Sequence, residues 1–176
     1  MSLRPLTEQD LDKLLSWRNS PDVRKFMFTS HIITPEEHAE WFLKLQHNPD
    51  KHCYIPLNQH EVEDGFVAFT RTETDKSCAS WGFYLSPDAA PGSGTPLGNA
   101  ALAKAFGELQ LNKLMAQVLT NNPLSIRFHE TMGFRPDKSK KMQSSVAQGS
   151  PEVRHYYLTA DQWRTDKRSF RIRPEL

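Results

Sequence analysis

Cysteine is scarce: Cys53 and Cys78 are the only two in 176 residues, too few for the disulfide framework of a small secreted domain. Both are expected to be small buried hydrophobes rather than a bridge or a metal pair. Long apolar runs are missing as well. Ala100 to Ala103 and Leu114 to Leu119 fall far short of the roughly 20 residues that a bilayer span needs, so membrane insertion is excluded. Met1 to Pro5 has no apolar leader core, which makes the cytoplasm the expected compartment. Charge of one sign is not in excess, since Lys+Arg 22 against Asp+Glu 21 leaves a formal +1. Such a balance gives no broad basic field for nucleic acid, although Arg164 to Arg173 is locally basic. The 7 histidines are scattered without metal-ligand spacing, so no metal is expected. No Gly-x-Ser-x-Gly occurs, which removes the serine-hydrolase elbow.

What is present suffices for one domain over residues 1–176. A chain of this size buries roughly 70% of its unfolded surface, and 38% hydrophobic with 10% aromatic content supplies a core. Thr7-Glu8-Gln9-Asp10 reads as a cap and acidic turn before a helix carrying Leu11, Leu14, Leu15 and Arg18, which ends near Asn19. Pro21 disfavours helix at Ser20, and Asp22 to Phe28 reads as a short helix or irregular aromatic segment. Thr34-Pro35-Glu36-Glu37 combines a threonine cap, a proline at the first helical position and a glutamate three residues on, starting a helix to about Gln46. Cys53 to Leu57, Gly65 to Thr72 and Cys78 to Leu85 read as an antiparallel meander.

Pro87 to Gly98 is a loop of prolines and glycines that opens into a helix over Asn99 to Leu109. A buried-type strand spans Leu114 to Leu119. Asn122-Pro123 starts a helix, Leu124 to Met132, closed by Gly133 in a left-handed cap. Lys138 to Ser150 reads as a polar hairpin loop and Val153 to Thr159 as a strand. Thr159-Ala160-Asp161-Gln162 is a second capping box before a carboxy-terminal helix.

The informative feature is Gly92-Ser93-Gly94 at a strand-to-helix junction. Glycines let backbone approach an anion closely while the first helical amides point at it, which suits a phosphate-rich ligand. Taken alone, two glycines beside prolines are more often a plain loop. No Gly-Lys-Ser/Thr follows, so it is not a nucleoside-triphosphate loop, and the preceding antiparallel strands do not fit a dinucleotide fingerprint.

The ordered set Trp81-Gly82-Phe83-Tyr84-Leu85-Ser86-Pro87, the Gly92-x-Gly94 loop with its helix, strand Leu114 to Leu119, and Asn122-x-x-Ser125-Ile126 through Gly133-Phe134 resembles the GNAT N-acetyltransferase superfamily. The resemblance implies an α/β fold with a mixed, mostly antiparallel central sheet, a splayed strand pair and flanking helices. Acetyl-CoA is the implied co-substrate. Its pyrophosphate falls to the amides of Gly92, Ser93, Gly94 and Thr95, and its pantetheine arm to the backbone of Leu85 and Ser86 and to Asn122. Ser125 falls near the pyrophosphate-adenosine arm. Two positions depart from the family pattern: Ala89 stands where glutamine or arginine is usual, and Pro96 removes an amide. His129 stands where the family often has the tyrosine that protonates the departing thiolate. Histidine in that role implies an acidic shift of the alkaline limb of activity; the plainer role for His129 is packing.

A second resemblance covers most of residues 4 to 134. Trp17-Arg18-Asn19, Val23-Arg24-Lys25-Phe26-Met27-Phe28 and Glu36-Glu37-His38-x-x-Trp41-Phe42 are similar to acetyltransferases of the pseudaminic acid pathway, as are Phe106-Gly107-Glu108-Leu109. These act on the 4-amino group of a UDP-linked 4-amino-4,6-dideoxy sugar. The likeness places Met27, Phe28 and Trp41 around the base, Arg18 and His38 on the nucleotide-sugar, and Tyr84 as a wall residue. Flat and soft side chains suit a base, and a guanidinium fork suits a diphosphate. Gln117 stands where similar proteins tend to carry glutamate. Direct transfer is implied, with a backbone N–H near Leu85 receiving the carbonyl oxygen and His129 serving the thiolate. Two other functions are open: acetylation of a protein amino terminus or small amine, and non-catalytic acetyl-CoA binding. A homodimer is also open.

Overall fold

The computed structural model describes residues 1–140, 143–144 and 152–171, with side chains of 143–144 and 166–171 left undescribed. Strand β1 is Ser2–Pro5, and a single 3-10 turn at Glu8–Asp10 leads into α1, Leu11–Asn19. The Thr7 N–H donates to Asp10 Oδ2 at 2.8 Å, so the expected cap closes this tight turn rather than the α-helix itself. Helix α2 is Pro21–Arg24, capped by the Ser20 hydroxyl, and α3 is Pro35–Gln46. The Thr34 box is complete: the Glu37 N–H donates to Thr34 Oγ1 at 3.2 Å, and the Thr34 N–H donates to Glu37 Oε2 at 2.8 Å.

The meander follows as β2 (Lys51–Leu57), β3 (Gly65–Arg71) and β4 (Cys78–Leu85). Helix α4 is Gly94–Ala103 and runs on into a π-helical turn at Lys104–Glu108. It therefore begins five residues before the expected Asn99. Pro96 sits in its first turn, where backbone N–H groups have no partner within the helix, so the proline breaks nothing. Strand β5 (Lys113–Leu119), α5 (Pro123–Thr131), β6 (Arg135–Pro136), β7 (Gln143–Ser144), β8 (Glu152–Thr159) and α6 (Ala160–Arg171) complete the order. Gly133 takes φ +88° after α5, as a left-handed cap requires. The Thr159 box forms, with the Gln162 N–H donating to Thr159 Oγ1 at 3.3 Å. Most of the expected Lys138 to Ser150 loop and the end of the basic tail lie outside the described residues; the described part of that loop adds β7, paired with β8.

The strands form one sheet in the order β1-β2-β3-β4-β5-β8-β6. Every pairing is antiparallel except β4 with β5. That parallel ladder joins only Cys78–Lys113, Ala79–Leu114 and Ser80–Met115; beyond Ser80 the two strands part. One face of the sheet carries Val67, Phe69 and Trp81 into the core with Leu97, Ala101 and Leu102 of α4. The valine, leucine and phenylalanine side chains among them each contribute roughly 1.5–3 kcal/mol on full burial. The other face presents Phe66 and Ala68 to a cavity that Leu14, His38 and Trp41 of the amino-terminal helices also line. Among the described residues no helix is long and apolar enough to cross a membrane.

Candidate active site

The gap between the diverging halves of β4 and β5 opens a cavity of about 1000 Å³. Which backbone groups face it follows from strand geometry. The Ser86 N–H donates to Asp64 O at 3.0 Å, so the N–H of residue 86 points at β3. Successive N–H groups alternate edges along a strand, which turns those of Leu85 and Phe83 the other way, toward the missing half of the β5 ladder. The Ser86 carbonyl in turn accepts from the Ala89 N–H at 3.1 Å. The backbone pairing expected at Leu85 and Ser86 is therefore offered by Leu85 and Phe83, and Ser86 is taken up by the protein itself.

At the open end of the gap lies the glycine loop. Gly92 adopts φ +91°, a conformation L side chains rarely take, and Gly94 is the first residue of α4. Both line the cavity; Ser93 and Thr95 flank Gly94 in the same loop and first helical turn. A phosphate oxygen fits the Gly94 amide at this helix start, whereas the Ser93 and Thr95 N–H groups expected to join it donate to Ala90 O at 3.1 Å and Gly92 O at 3.3 Å. Across the gap, Asn122 caps α5 by accepting from the Ser125 N–H at 3.0 Å, which leaves the amide nitrogen of its side chain as a donor.

A glycine that the sequence counted only as a loop residue holds these parts together. A Cβ at Gly98 would lie 2.5 Å from Met132 Sδ and 2.7 Å from a Phe128 ring carbon. Helix α5 thus packs against α4 where only hydrogen fits. Nothing in a single sequence links Gly98 to Phe128 and Met132.

His129 stands on α5, only 3% exposed, ringed by Trp81, Phe134 and Phe128 at centroid distances of 5.6, 5.1 and 5.3 Å. Tyr156 stacks on it at 5.9 Å. Its Nδ1 lies 2.7 Å from the Ser125 carbonyl oxygen. A carbonyl can only accept, so Nδ1 carries the proton, and the neutral ring has its lone pair on Nε2. Burial pushes the imidazole down to about 4, with the Ser125 bond opposing. Burial thus favours the neutral ring over the protonated one. The spacing Ser125-x-x-x-His129 carried the signal for this helical-turn bond.

The amino-terminal side of the cavity is aromatic. His38 stacks on Trp41 at 5.2 Å, Trp41 meets Phe66 edge-on at 6.2 Å, and Phe66 meets Tyr84 at 5.5 Å. Phe66 was missed by sequence reasoning, which saw it only as strand. Met27 and Phe28 line the rim, Phe28 being 55% exposed. Arg18 Nη2 donates to Thr29 O at 2.9 Å and Thr29 Oγ1 at 3.0 Å. Its buried Nη1 finds no partner among the described residues, nor does the buried His38 Nε2. Burial holds both Arg18 and His38 below their usual ranges and lifts the Tyr84 phenol. A guanidinium donor and an imidazole nitrogen left unpaired in one aromatic cavity are costly unless a ligand meets them. Gln117, exposed on β5, lines the same space. Every expected site residue but Ser93 and Thr95 lines this one cavity.

Among the described residues no group of His, Cys, Asp and Glu could hold a metal ion. Cys53 is buried, with its thiol pushed up to about 11 by desolvation, and Cys78 donates to Asp75 Oδ2 at 3.1 Å.

Comparison with known proteins agrees with this geometry. Residues 1–135 match the Acetyltransferase (GNAT) domain family. Two proteins named acetyltransferase PseH, from Campylobacter jejuni strains 81-176 and NCTC 11168, are 33% and 30% identical over 129 residues. Those alignments cover 73% of this chain and 79% of each relative. In fold, the chain is similar to a spermidine N-acetyltransferase from Vibrio cholerae solved with CoA and spermine. Its TM-score is 0.83 at 20% identity, over 93% of this chain and 97% of that one. The splayed β4–β5 pair, the glycine loop before α4 and these likenesses together place the chain in the GNAT family of acetyltransferases.

Proposed function

We propose that this enzyme transfers the acetyl group of acetyl-CoA to the 4-amino group of a UDP-linked 4-amino-4,6-dideoxy sugar. The observation that carries the proposal is one continuous cavity. It joins the open β4 edge and glycine loop to an aromatic wall with an unpaired guanidinium nitrogen. The similarity to two PseH acetyltransferases supports the same assignment.

GNAT domains use acetyl-CoA, and the residues here fit it. Gly92 and Gly94 hold the pyrophosphate, Gly94 through the first amide of α4, with Ser93 and Thr95 beside them in the loop and their own N–H groups given to Ala90 O and Gly92 O. Leu85 and Phe83 pair with the pantetheine arm as an added strand would, helped by the Asn122 side-chain amide, and Ser125 lies beside the arm. The Leu85 or Phe83 N–H also receives the carbonyl oxygen as negative charge grows there. On the acceptor side, Trp41, Met27 and Phe28 take the uracil, Arg18 Nη1 a diphosphate oxygen, and His38 Nε2 a donor of the nucleotide-sugar. Tyr84 and Gln117 close the sugar subsite.

Transfer is direct, because the two reactants meet in line in one cavity. The amine nitrogen attacks the acetyl carbon, and the ammonium so formed has a proton to lose. His129 takes it on Nε2. The C–S bond breaks, its electron pair goes to sulfur, and the same Nε2–H returns the proton there. The ring ends neutral, as it began.

Polyamine acetylation fits this cavity poorly, because a polycation needs carboxylates, and those lining it are the exposed Asp22 and Glu37 at the rim, set against Arg18. The test is thiol release from acetyl-CoA with the UDP-amino sugar, with spermidine, with an amino-terminal peptide panel, and without acceptor. Sugar-dependent release is expected. Release driven only by peptides or spermidine would overturn the acceptor, and acetyl-CoA binding without any release would make the chain a binding module.

A further inference from the structure

Of the run Trp17-Arg18-Asn19, only Arg18 lines the cavity. Asn19 ends α1 and reaches the other way, to a residue 14 positions on. Its Nδ2 donates to Ile33 O at 2.8 Å, and the Ile33 N–H donates to Asn19 Oδ1 at 2.8 Å. A primary amide carries a donor and an acceptor side by side, so it takes both backbone groups of one residue as a neighbouring strand would.

This pin closes the segment 20–33 between α1 and α3. The first part of the segment is fixed by α2 and the buried Val23. The second part, residues 28–33, forms an arch with no backbone–backbone hydrogen bond among the described residues. Burial does little to fix it either, since Phe28 is 55% and Ile32 62% exposed, and Thr29, Ser30 and His31 are exposed as well. Side chains shape it instead. Arg18 Nη2 holds Thr29, His31 Nε2 lies 3.3 Å from Glu37 Oε1, and Asn19 holds Ile33. Phe28, His31 and Ile33 of the arch line the cavity, with Met27 at its foot. Ile33 also precedes the Thr34 cap, so the same pin sets where the chain enters α3, which carries His38 and Trp41.

We infer that Asn19 is a positioning residue for the acceptor: by pinning Ile33 it orders the arch before the acceptor arrives. An arch left loose would have to be ordered on binding, and that entropy would be taken from affinity. The inference rests on the reading that Arg18, Met27 and Phe28 hold a nucleotide sugar. Acetyl-CoA, along the open edge of β4 and the glycine loop, meets none of the arch. The pin therefore acts on one substrate and not the other.

The test uses Asn19→Ala, which removes both bonds without setting a charge beside an anionic ligand; Asn19→Ser serves if that variant does not fold. Without ligand, the Ile33 amide hydrogen should exchange at least tenfold faster than in wild type. UDP binding, measured by calorimetry, should weaken about tenfold, the scale of one or two lost hydrogen bonds. The KM for the nucleotide sugar should rise by the same factor, with the KM for acetyl-CoA within twofold and kcat at saturating acceptor within threefold. A residue that only supports the fold would not separate the two substrates. Equal losses for both, UDP binding within twofold of wild type, or an Ile33 amide that exchanges as before overturns the inference, and so does loss of folding in both variants. A wild-type protein that binds acetyl-CoA but not UDP overturns the acceptor reading itself, and the inference with it, before any variant is made.

Discussion

If His129 had to carry a proton before the reaction began, the enzyme would work at a large disadvantage near neutral pH. The imidazole is held down to about 4 by burial, so three pH units higher only about one molecule in a thousand is protonated there, a cost of about 4 kcal/mol. Activity depending on that form would fall tenfold per pH unit above about 5. The neutral Nδ1–H tautomer, fixed by the 2.7 Å bond to the Ser125 carbonyl, needs no such protonation. The proton is collected at Nε2 from the ammonium during the reaction. The expected outcome is therefore a kcat that holds level or rises from pH 5 to 8, as the free-amine fraction of the acceptor grows, with no alkaline limb owed to His129. The assay is thiol release at saturating acetyl-CoA and acceptor in constant-ionic-strength buffers, with stability checked at each pH. His129→Phe, which keeps the aromatic packing, should lower kcat by about 100-fold, within the usual reach of general acid–base catalysis. A tenfold fall per unit between pH 5 and 8 in wild type would refute the tautomer argument, and an unchanged kcat in His129→Phe would return this residue to packing.

Three further outcomes follow from the same geometry. The depressed His129 pKa means the unfolded chain binds the proton more readily, so stability is full above about 6.5 and is lost as pH falls toward 4, by about 3 kcal/mol. Denaturant unfolding across that range should show the loss in wild type and not in His129→Phe, apart from what other groups contribute. Gly98→Ala forces a methyl against Met132 and Phe128; a net destabilisation of about 1–2 kcal/mol is expected after the helix-propensity gain, with a higher KM for acetyl-CoA, and a more stable variant would mean the helices can part freely. Arg18→Lys removes the planar fork, so UDP should lose its thermal protection of the protein and the KM for the nucleotide sugar should rise tenfold or more while that for acetyl-CoA stays put. Equal effects on both would place Arg18 outside the acceptor subsite.

Local chemistry explains why so much of this architecture was legible in the residues. Thr34-Pro35-x-Glu37, Asn122-Pro123 and Thr159-x-x-Gln162 are caps whose partners lie within one helical turn, and all three form where expected. The β4 strand, glycine loop and following helix were equally local. What was not legible depended on contacts distant in sequence or on protonation. The start of α4 falls earlier than expected because the run of prolines and glycines from Pro87 to Gly98 reads as loop, whereas the first turn of a helix needs no N–H at Pro96. The commitment of the Ser86 backbone to Asp64 and Ala89 became visible only once β3 lay beside β4. The protonation of His129 depends on burial and on the Ser125 carbonyl, and neither can be read from the residue's identity. Arg18, His38 and Trp41 were named from resemblance, while Phe66, which completes their aromatic row, comes from the sheet's pleat.

The central claim is that one cavity brings acetyl-CoA and a UDP-linked amino sugar together for direct transfer. The measurement that tests it most directly is the rate of thiol release with a UDP-4-amino-4,6-dideoxy sugar, set against the same sugar without its UDP group, spermidine and an acceptor-free blank. The account predicts release that depends on the intact nucleotide sugar and forms an acetamide at its 4-amino nitrogen. Equal rates with the UDP-free sugar, or release driven by spermidine alone, would contradict it.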